Sequence, residues 1–381
     1  MINKKLCYIL DIYDISTSSH YFHLYELIEE IGKTVDLSLI VAEAKSQPIF
    51  KNIKNIYIQK ITRTPLKLAE RLLVLAYMRA KGYKKIYVHY SFFSAIVASI
   101  ITKIFGGKTY YWNCGLIGNY MTRWKLDFTT IKNKILNDYM FSLTLKIIDY
   151  LVTGTQSMAD YYSKNFGIDN ERIKVIPNWV NLSRFNPKRY DKKHLRKVFG
   201  IDENTKVVLF IHWLSQRKGA QYIPEIAKNV IKDIPKVLFI VVGDGPYKSR
   251  LEHDIRRLDL TNAIKLVGPI PNREIARYFA LGDVFILPSE EEGFPRVLLE
   301  CMAMGVPFVV MDVGGVKDIL TERQRDFMVQ RKCLEAFIKK TIMLLKNESV
   351  RKELAFEGFR QVQKYEIKNV ARIFVEQIVK H

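Results

Sequence analysis

Short apolar runs rich in Val, Ile and Tyr alternate with longer segments of helical period along the whole chain. In the first half, Leu6–Ile12, Val35–Val41, Lys85–Val88, Thr109–Trp112, Tyr150–Thr153 and Ile173–Ile176 predict strands. Between them Tyr21–Ile31, Leu66–Lys81 and Ile131–Ile147 predict helices. Such alternation implies a parallel sheet with helices on both faces. The rhythm breaks at Ile176–Pro187, where two prolines and three asparagines read as a connection between domains. It then restarts, with strands predicted at Val207–Ile211, Val237–Val242, Ile264–Val267, Val284–Leu287, Phe308–Met311 and Asp326–Val329. Helices at Leu334–Lys346, Val350–Glu357 and Ile367–Val379 close the chain. The pattern predicts an α/β protein of two Rossmann-like, doubly wound domains, 1–178 and 179–362, with a terminal helical segment 363–381. Open α/β sheets bind ligands at the C-terminal ends of their strands, so two such domains predict a cleft between those edges.

Length and composition agree with this. The 381 residues suit two cores, and 48% hydrophobic with 26% charged residues is ordinary globular composition. The charge balance adds something: 60 Lys and Arg against 39 Asp and Glu leave a net +21, which favours anionic partners. The surplus divides as +10 for residues 1–180 (24 basic, 14 acidic) and +11 for residues 181–381 (36 basic, 25 acidic), so no basic tail exists. A nucleic-acid-binding protein would show a recognisable module or aromatics interleaved with basic residues on one surface, and neither is found. The densest basic run, Lys188, Arg189, Lys192, Lys193, Arg196 and Lys197, reads as a solvated helix face and linker, with a phosphate or lipid contact as the alternative. Cys7, Cys114, Cys301 and Cys333 lack the CxxC spacing of zinc sites and fit a reducing cytoplasm rather than a disulfide framework. No signal peptide is evident, and the apolar stretch Phe92–Ile101 is too short to span a bilayer, which takes about 20 apolar residues. The expectation is a cytoplasmic protein, soluble or peripheral on the membrane.

The densest chemistry lies in Leu287-Pro-Ser-Glu-Glu-Glu-Gly-Phe-Pro-Arg-Val-Leu-Leu-Glu-Cys-Met-Ala-Met-Gly-Val-Pro307. A buried strand ends at Leu287, an acidic loop follows, and Pro295 suits a first helical turn. The free N–H groups of such a turn favour an anion. Glu292 falls in the loop, and Glu300 is expected past the middle of the helix, so two carboxylates flank an anion site. That arrangement suits a sugar–diphosphate–ribose ligand.

In this segment the chain resembles the retaining family 4 glycosyltransferases of the GT-B fold. Their signature pairs two Glu eight residues apart, with Gly-Phe after the first and a small-residue helix ending in Gly-x-Pro; Glu292, Gly293, Phe294, Glu300, Ala303, Gly305 and Pro307 match it. Val242-Gly-Asp-Gly-Pro246, Val267-Gly-Pro-Ile-Pro271 and Arg217-Lys218-Gly219 resemble further donor-side elements, and Val175–Pro187 the interdomain motif, with Trp179 where Gly is usual. The resemblance implies transfer of a sugar from a nucleoside-diphosphate sugar to an acceptor hydroxyl with retention, in cell-surface polysaccharide or glycolipid assembly. It also implies a C-terminal helix crossing back to the first domain. Lys218, helped by Arg217, would neutralise the leaving diphosphate, and Glu292 would hold sugar hydroxyls. Glu300 would bind the ribose, with Gly243, Pro269, Gly293, Phe294, Pro295, Arg296 and Val297 completing the donor site. No cofactor and no metal is expected, since protein cations neutralise the diphosphate and no metal-ligand spacing occurs.

The departures from the family pattern are specific. Where relatives often carry an Arg just after the second domain's first strand, this chain has His212-Trp213; Arg217 either replaces the charge or points to solvent. The first loop, usually Gly-rich, reads Ile15-Ser-Thr-Ser-Ser-His20, so Ser18, Ser19 and His20 either contact substrate or cap a helix. The acceptor-side His is replaced by Asn113, leaving His89 or His20 as substitutes, or else a different handling of that chemistry. A catalytically inactive nucleotide-sugar-binding relative is the alternative function, opposed by the intact Glu pair and Lys218. An oxidoreductase would need a Gly-x-Gly-x-x-Gly turn, which Asp11–His20 and Gly243–Gly245 lack. The basic aromatic segment Tyr120–Leu136 reads equally as an ordinary helix or as a membrane-interface element reaching a lipid-linked acceptor.

Overall fold

The computed structural model describes residues 4–15, 22–61, 63–115 and 128–380, with the side chains of 64–65 and 128–137 outside the description. The chain divides into two compact units, Met1–Pro177 with Ile367–His381, and Asn178–Glu366.

The first unit holds strands β1 Lys5–Tyr13, β2 Asp36–Ala44, β3 Asn55–Ile58, β4 Lys85–His89, β5 Lys108–Trp112, β6 Tyr150–Thr153 and β7 Ile173–Val175. They form one parallel sheet in the order β3-β2-β1-β4-β5-β6-β7. The second unit holds β8 Lys206–Ile211, β9 Val237–Val242, β10 Ile264–Gly268, β11 Val284–Leu287, β12 Phe308–Asp312 and β13 Met328–Gln330. These are parallel in the order β10-β9-β8-β11-β12-β13. Each unit is therefore an α/β, Rossmann-like layer, and its strand order reverses once, between β1 and β4 or between β8 and β11. The central strands are buried on both faces, which is why Val207-Val-Leu-Phe210 and Val284-Phe-Ile-Leu287 are continuous apolar runs.

Some elements differ from the sequence pattern. No strand is expected at β3 from the pattern: it is a four-residue edge strand with no buried position, so no apolar alternation marks it. The apolar stretch Phe92–Ile101 lies in a helix, Phe92–Phe105, capped by Ser91, whose side chain accepts from the Ser94 amide. The last strand starts at Met328 rather than Asp326, because Asp326 caps the short helix Glu322–Arg325. The final helix runs Ile367–Phe374 and then widens into a π-helical turn, Val375–Val379. The basic run at 188–197 is only partly a solvated face. Lys192 Nζ lies 2.9 Å and Arg196 Nη2 2.7 Å from the Asp283 carboxylate, at the entry to β11. Lys188, Arg189, Lys193 and Lys197 are exposed.

Candidate active site

The strand-order reversal of the second unit brings the ends of β8 and β11 side by side, and the candidate residues hang from both. After β8 the chain makes a short turn, Gln216–Lys218, closed by Gly219 at φ +76°. A Cβ at Gly219 would lie 2.0 Å from the Pro288 carbonyl oxygen, so only Gly lets this turn press against the exit of β11. The Glu290 amide donates to the Arg217 carbonyl at 2.9 Å, locking the two loops together. The Gly-Asp-Gly turn after β9 supports the same loop from the other side. The Gly243 amide donates to the Gly268 carbonyl, and a Cβ on Gly243 would come within 2.0 Å of the His212 carbonyl oxygen.

This packing places Lys218 and Glu292 together inside the protein. Lys218 Nζ donates to Glu292 Oε2 at 2.7 Å, and both side chains are almost fully buried. The other carboxylate oxygen accepts from Ser289 Oγ at 2.8 Å and faces His212 Nε2 at 3.3 Å. Burial opposes the charge on Glu292, but the Lys218 ammonium and the His212 hydrogen bond outweigh it and hold the carboxyl well below its usual range. Burial likewise lowers the Lys218 pKa, with Glu292 opposing. His212 is lowered to about 4 by burial and then by the Lys218 charge, so it is neutral near pH 7. Its Nδ1 accepts the Trp213 amide at 2.8 Å, which leaves the ring proton on Nε2, directed at Glu292.

The neighbouring acids have separate partners. Glu290 accepts from Tyr222 Oη at 2.7 Å and Arg331 Nη2 at 3.3 Å. Burial raises the Glu291 pKa, opposed first by Arg217, the charge nearest in effect. Arg217 is half-buried beside this loop, where its carbonyl takes the Glu290 amide. The helix Arg296–Ala303 begins at Pro295, which is its N-cap rather than its first turn. Gly293 and Phe294 precede it, and Phe294 is fixed by the Asn178 side chain donating to its carbonyl at 3.1 Å. Glu300 is buried near the middle of this helix rather than a full turn past it, with Arg296 Nη2 3.4 Å from its carboxylate. Val297 is half-buried in the first turn, and Pro269 is exposed after β10.

In the first unit, His89 is buried at the end of β4, hydrogen-bonded through Nδ1 to Tyr8 Oη at 3.1 Å and stacked on Trp112 at 4.3 Å. Asn113 follows β5; its Oδ1 accepts from Tyr162 Oη at 2.9 Å and from the Gly115 amide at 3.0 Å. Ser18, Ser19 and His20 lie outside the described residues, as do 120–127 of the basic aromatic segment. Two groups were not singled out beforehand as site residues. His212 stood only as a departure, and Asp11, in β1, carries a carboxyl pushed up to about 6 by burial, with Arg71 opposing. Among the described residues no cluster of three His, Cys, Asp or Glu is placed to hold a metal ion.

Two loops locked together at a strand-order reversal, with a buried Lys–Glu pair just ahead of a helix, give the second unit the layout of a GT-B half. The comparisons carry the class to a family. Residues 191–361 match the model of the Glycosyl transferases group 1, and residues 22–184 that of Glycosyltransferase Family 4. The chain belongs to the family 4 glycosyltransferases. It is 29% identical over 178 residues to the UDP-Gal:alpha-D-GlcNAc-diphosphoundecaprenol alpha-1,3-galactosyltransferase of Escherichia coli, covering 46% of each chain. It is 30% identical over 258 residues to the 2-deoxystreptamine N-acetyl-D-glucosaminyltransferase of Niallia circulans, covering 66% of this chain and 63% of that one. The match spans about half the length of the first curated relatives, 46% in each of two. Over nearly its whole length the fold is that of the sucrose-phosphate synthase of Thermosynechococcus elongatus, with TM-score 0.78, 17% identity and 98% of both chains covered. It is also that of Anabaena HepE solved with UDP and glucose, with TM-score 0.75, 18% identity and 98% of both chains covered.

Proposed function

We propose that this protein transfers a sugar from a nucleoside-diphosphate sugar to an acceptor hydroxyl with retention of anomeric configuration, in the assembly of a cell-surface polysaccharide or glycolipid at the cytoplasmic face of the membrane. The observation that carries the reading is the buried Lys218–Glu292 pair, 2.7 Å apart and braced by His212 and Ser289. An ammonium has three donors, and Glu292 engages one, so two remain for a diphosphate. A carboxylate offers about four acceptor directions. Ser289, His212 and Lys218 occupy three of them, leaving one on Oε2 for a sugar hydroxyl. The site is therefore built to fix a charged ligand in one pose. In a retaining transfer the bond from the anomeric carbon to the diphosphate breaks as the acceptor oxygen arrives on the same face. The leaving phosphate takes the acceptor's proton, and the protein supplies position and charge stabilisation. Lys218, Arg217 and the first-turn amides at Arg296 and Val297 stabilise the departing diphosphate, with Glu300 on the ribose. No metal is needed for this. A relative named for a diphosphoundecaprenol acceptor supports the acceptor class.

The test is a panel of nucleotide sugars, each assayed for donor hydrolysis or transfer with and without EDTA, and the product's anomeric configuration read by NMR. One active donor, retention, and activity unchanged by EDTA are the expected result. Binding without turnover across the panel would identify a catalytically inactive relative, inversion would overturn the mechanism, and loss of activity in EDTA would assign the diphosphate to a metal.

A further inference from the structure

The first half's positive surplus is not spread evenly. Residues 60–108 hold ten Lys and Arg and a single acid, Glu70, a net +9 out of the +10 carried by residues 1–180. Glu70 itself is engaged internally, accepting from Tyr57 Oη at 2.7 Å and from the amides of Lys60 and Ile61. This segment contains the helices Thr64–Ala80 and Phe92–Phe105, which pack side by side, with Arg79 donating to the carbonyl of Phe105.

Both helices bury a proper core face, through Leu75 and Met78 on one and Ala95, Ala98 and Ile101 on the other. Both also turn large apolar side chains outward, and the spacing is the same. Leu66, Leu73 and Tyr77 on the first, and Phe93, Ile100 and Ile104 on the second, fall at i, i+7 and i+11, which is one helical stripe. Leu73 is 69% exposed and Ile104 66%. A basic rim borders the stripes. Lys81 Nζ sits over the Tyr77 ring at 5.5 Å, Lys103 neighbours Ile104 in an exposed position, and exposed Arg63 precedes Leu66 by three residues. Apolar stripes of this kind mark an interaction surface rather than ordinary scatter.

We propose that this two-helix face is a docking surface for an anionic lipid bilayer. Charge complementarity selects that occupant: basic side chains flank the apolar stripes, where their long stems lie on acyl-level surface while their charges reach headgroup phosphates. No described helix is long and apolar enough to cross a membrane, so the contact is interfacial. The proposal deepens the reading of a lipid-linked acceptor. Vesicle binding is measured with no donor or acceptor present, so failure here and failure of the transferase reading are separate results.

The experiment is co-sedimentation of the full chain with vesicles of phosphatidylcholine alone or with one quarter phosphatidylglycerol, at low and high salt. Three double variants accompany it: Leu73→Ser with Ile104→Ser, Lys81→Ser with Lys103→Ser, and Lys193→Ser with Lys197→Ser as a charge-matched control on the second unit. All six residues are exposed, and far-UV circular dichroism and thermal melts check the fold. The wild type should pellet with anionic vesicles and be released by salt. Each first-unit variant should lose affinity, roughly fivefold per lysine removed, while the control keeps it. The proposal is overturned by wild type staying in the supernatant, or by the control losing as much as the lysine variant. It is equally overturned by a concentration-dependent dimer that the Leu73 and Ile104 changes abolish, which would give the face to a second copy.

Discussion

At the residue scale, the chemistry of Glu292 depends on a neighbour that no local motif contains. The Glu292–Glu300 pair and Lys218 are legible because the eight-residue spacing and the Lys-Gly turn are local patterns. His212 lies 80 positions before Glu292, and only the parallel pairing of β8 with β11 brings the two within 3.3 Å. His212 makes a testable contribution to stability. Its folded pKa, about 4, is below the ordinary value of 6.5. Between those values the unfolded chain binds the proton and the folded chain does not, so stability rises with pH across that window. The neutral imidazole's full contribution is therefore present above about pH 6.5 and is lost as pH falls toward 4. The part of this shift that falls between pH 7.5 and 4.5 corresponds to about 2–3 kcal/mol. We predict that wild type loses that much more stability than His212→Asn between pH 7.5 and 4.5, by urea denaturation. Parallel pH profiles for the two proteins would remove His212 from the acid response.

At the scale of elements, strands buried on both faces were readable because each is a short, uninterrupted apolar run. β8, β9 and β11 coincide with their runs to within a residue. β3 was not readable, since an edge strand with no buried residue leaves no apolar signature. The basic run at 188–197 is only partly legible for a related reason: charge density in sequence does not reveal which charges have a partner. Asp283 collects Lys192, Arg196 and the Val207 amide at 2.8 Å, tying the helix Lys192–Val198 to the entries of β8 and β11. Burial works against its charge, yet Lys192 and Arg196 prevail and hold the carboxyl below its ordinary value. Removing one partner of such a network leaves the others uncompensated, at a cost of about 3 kcal/mol. Asp283→Asn should lower unfolding stability by about that amount, and Lys193→Ser, on the exposed side of the same helix, by less than about 0.5 kcal/mol. Equal effects would mean that Asp283 is no more than a surface charge.

At the scale of the whole molecule, the chain passes between its two units twice, near Pro177 and near Glu366. Inside the second unit the two passages are held side by side, because the Val180 amide donates to the Tyr365 carbonyl at 2.9 Å. The segment after Glu366 then belongs to the first unit, almost 200 residues from that unit's last strand. Its role there is structural. Ile367, Val370, Phe374 and Ile378 are buried, and Phe374 meets Tyr87 of β4 edge-on at 4.8 Å. Lys85 Nζ donates to the Val379 carbonyl at 2.7 Å, and the helix Ile367–Phe374 packs on Phe22–Gly32. A fully buried aliphatic or aromatic side chain contributes roughly 1.5–3 kcal/mol. Four of them approach the whole stability of an ordinary domain, about 5–15 kcal/mol. Truncation after Glu366 should therefore unfold or severely loosen the first unit, even though every strand of its sheet is retained. Hydrogen exchange can localise the damage: amides of β1, β4 and Phe22–Gly32 should lose protection, while those of β8, β9 and β11 keep theirs. Unchanged protection in β1 and β4 would show that the terminal segment only decorates the first unit. A uniform loss across both sheets would show instead that the two units unfold as one cooperative body.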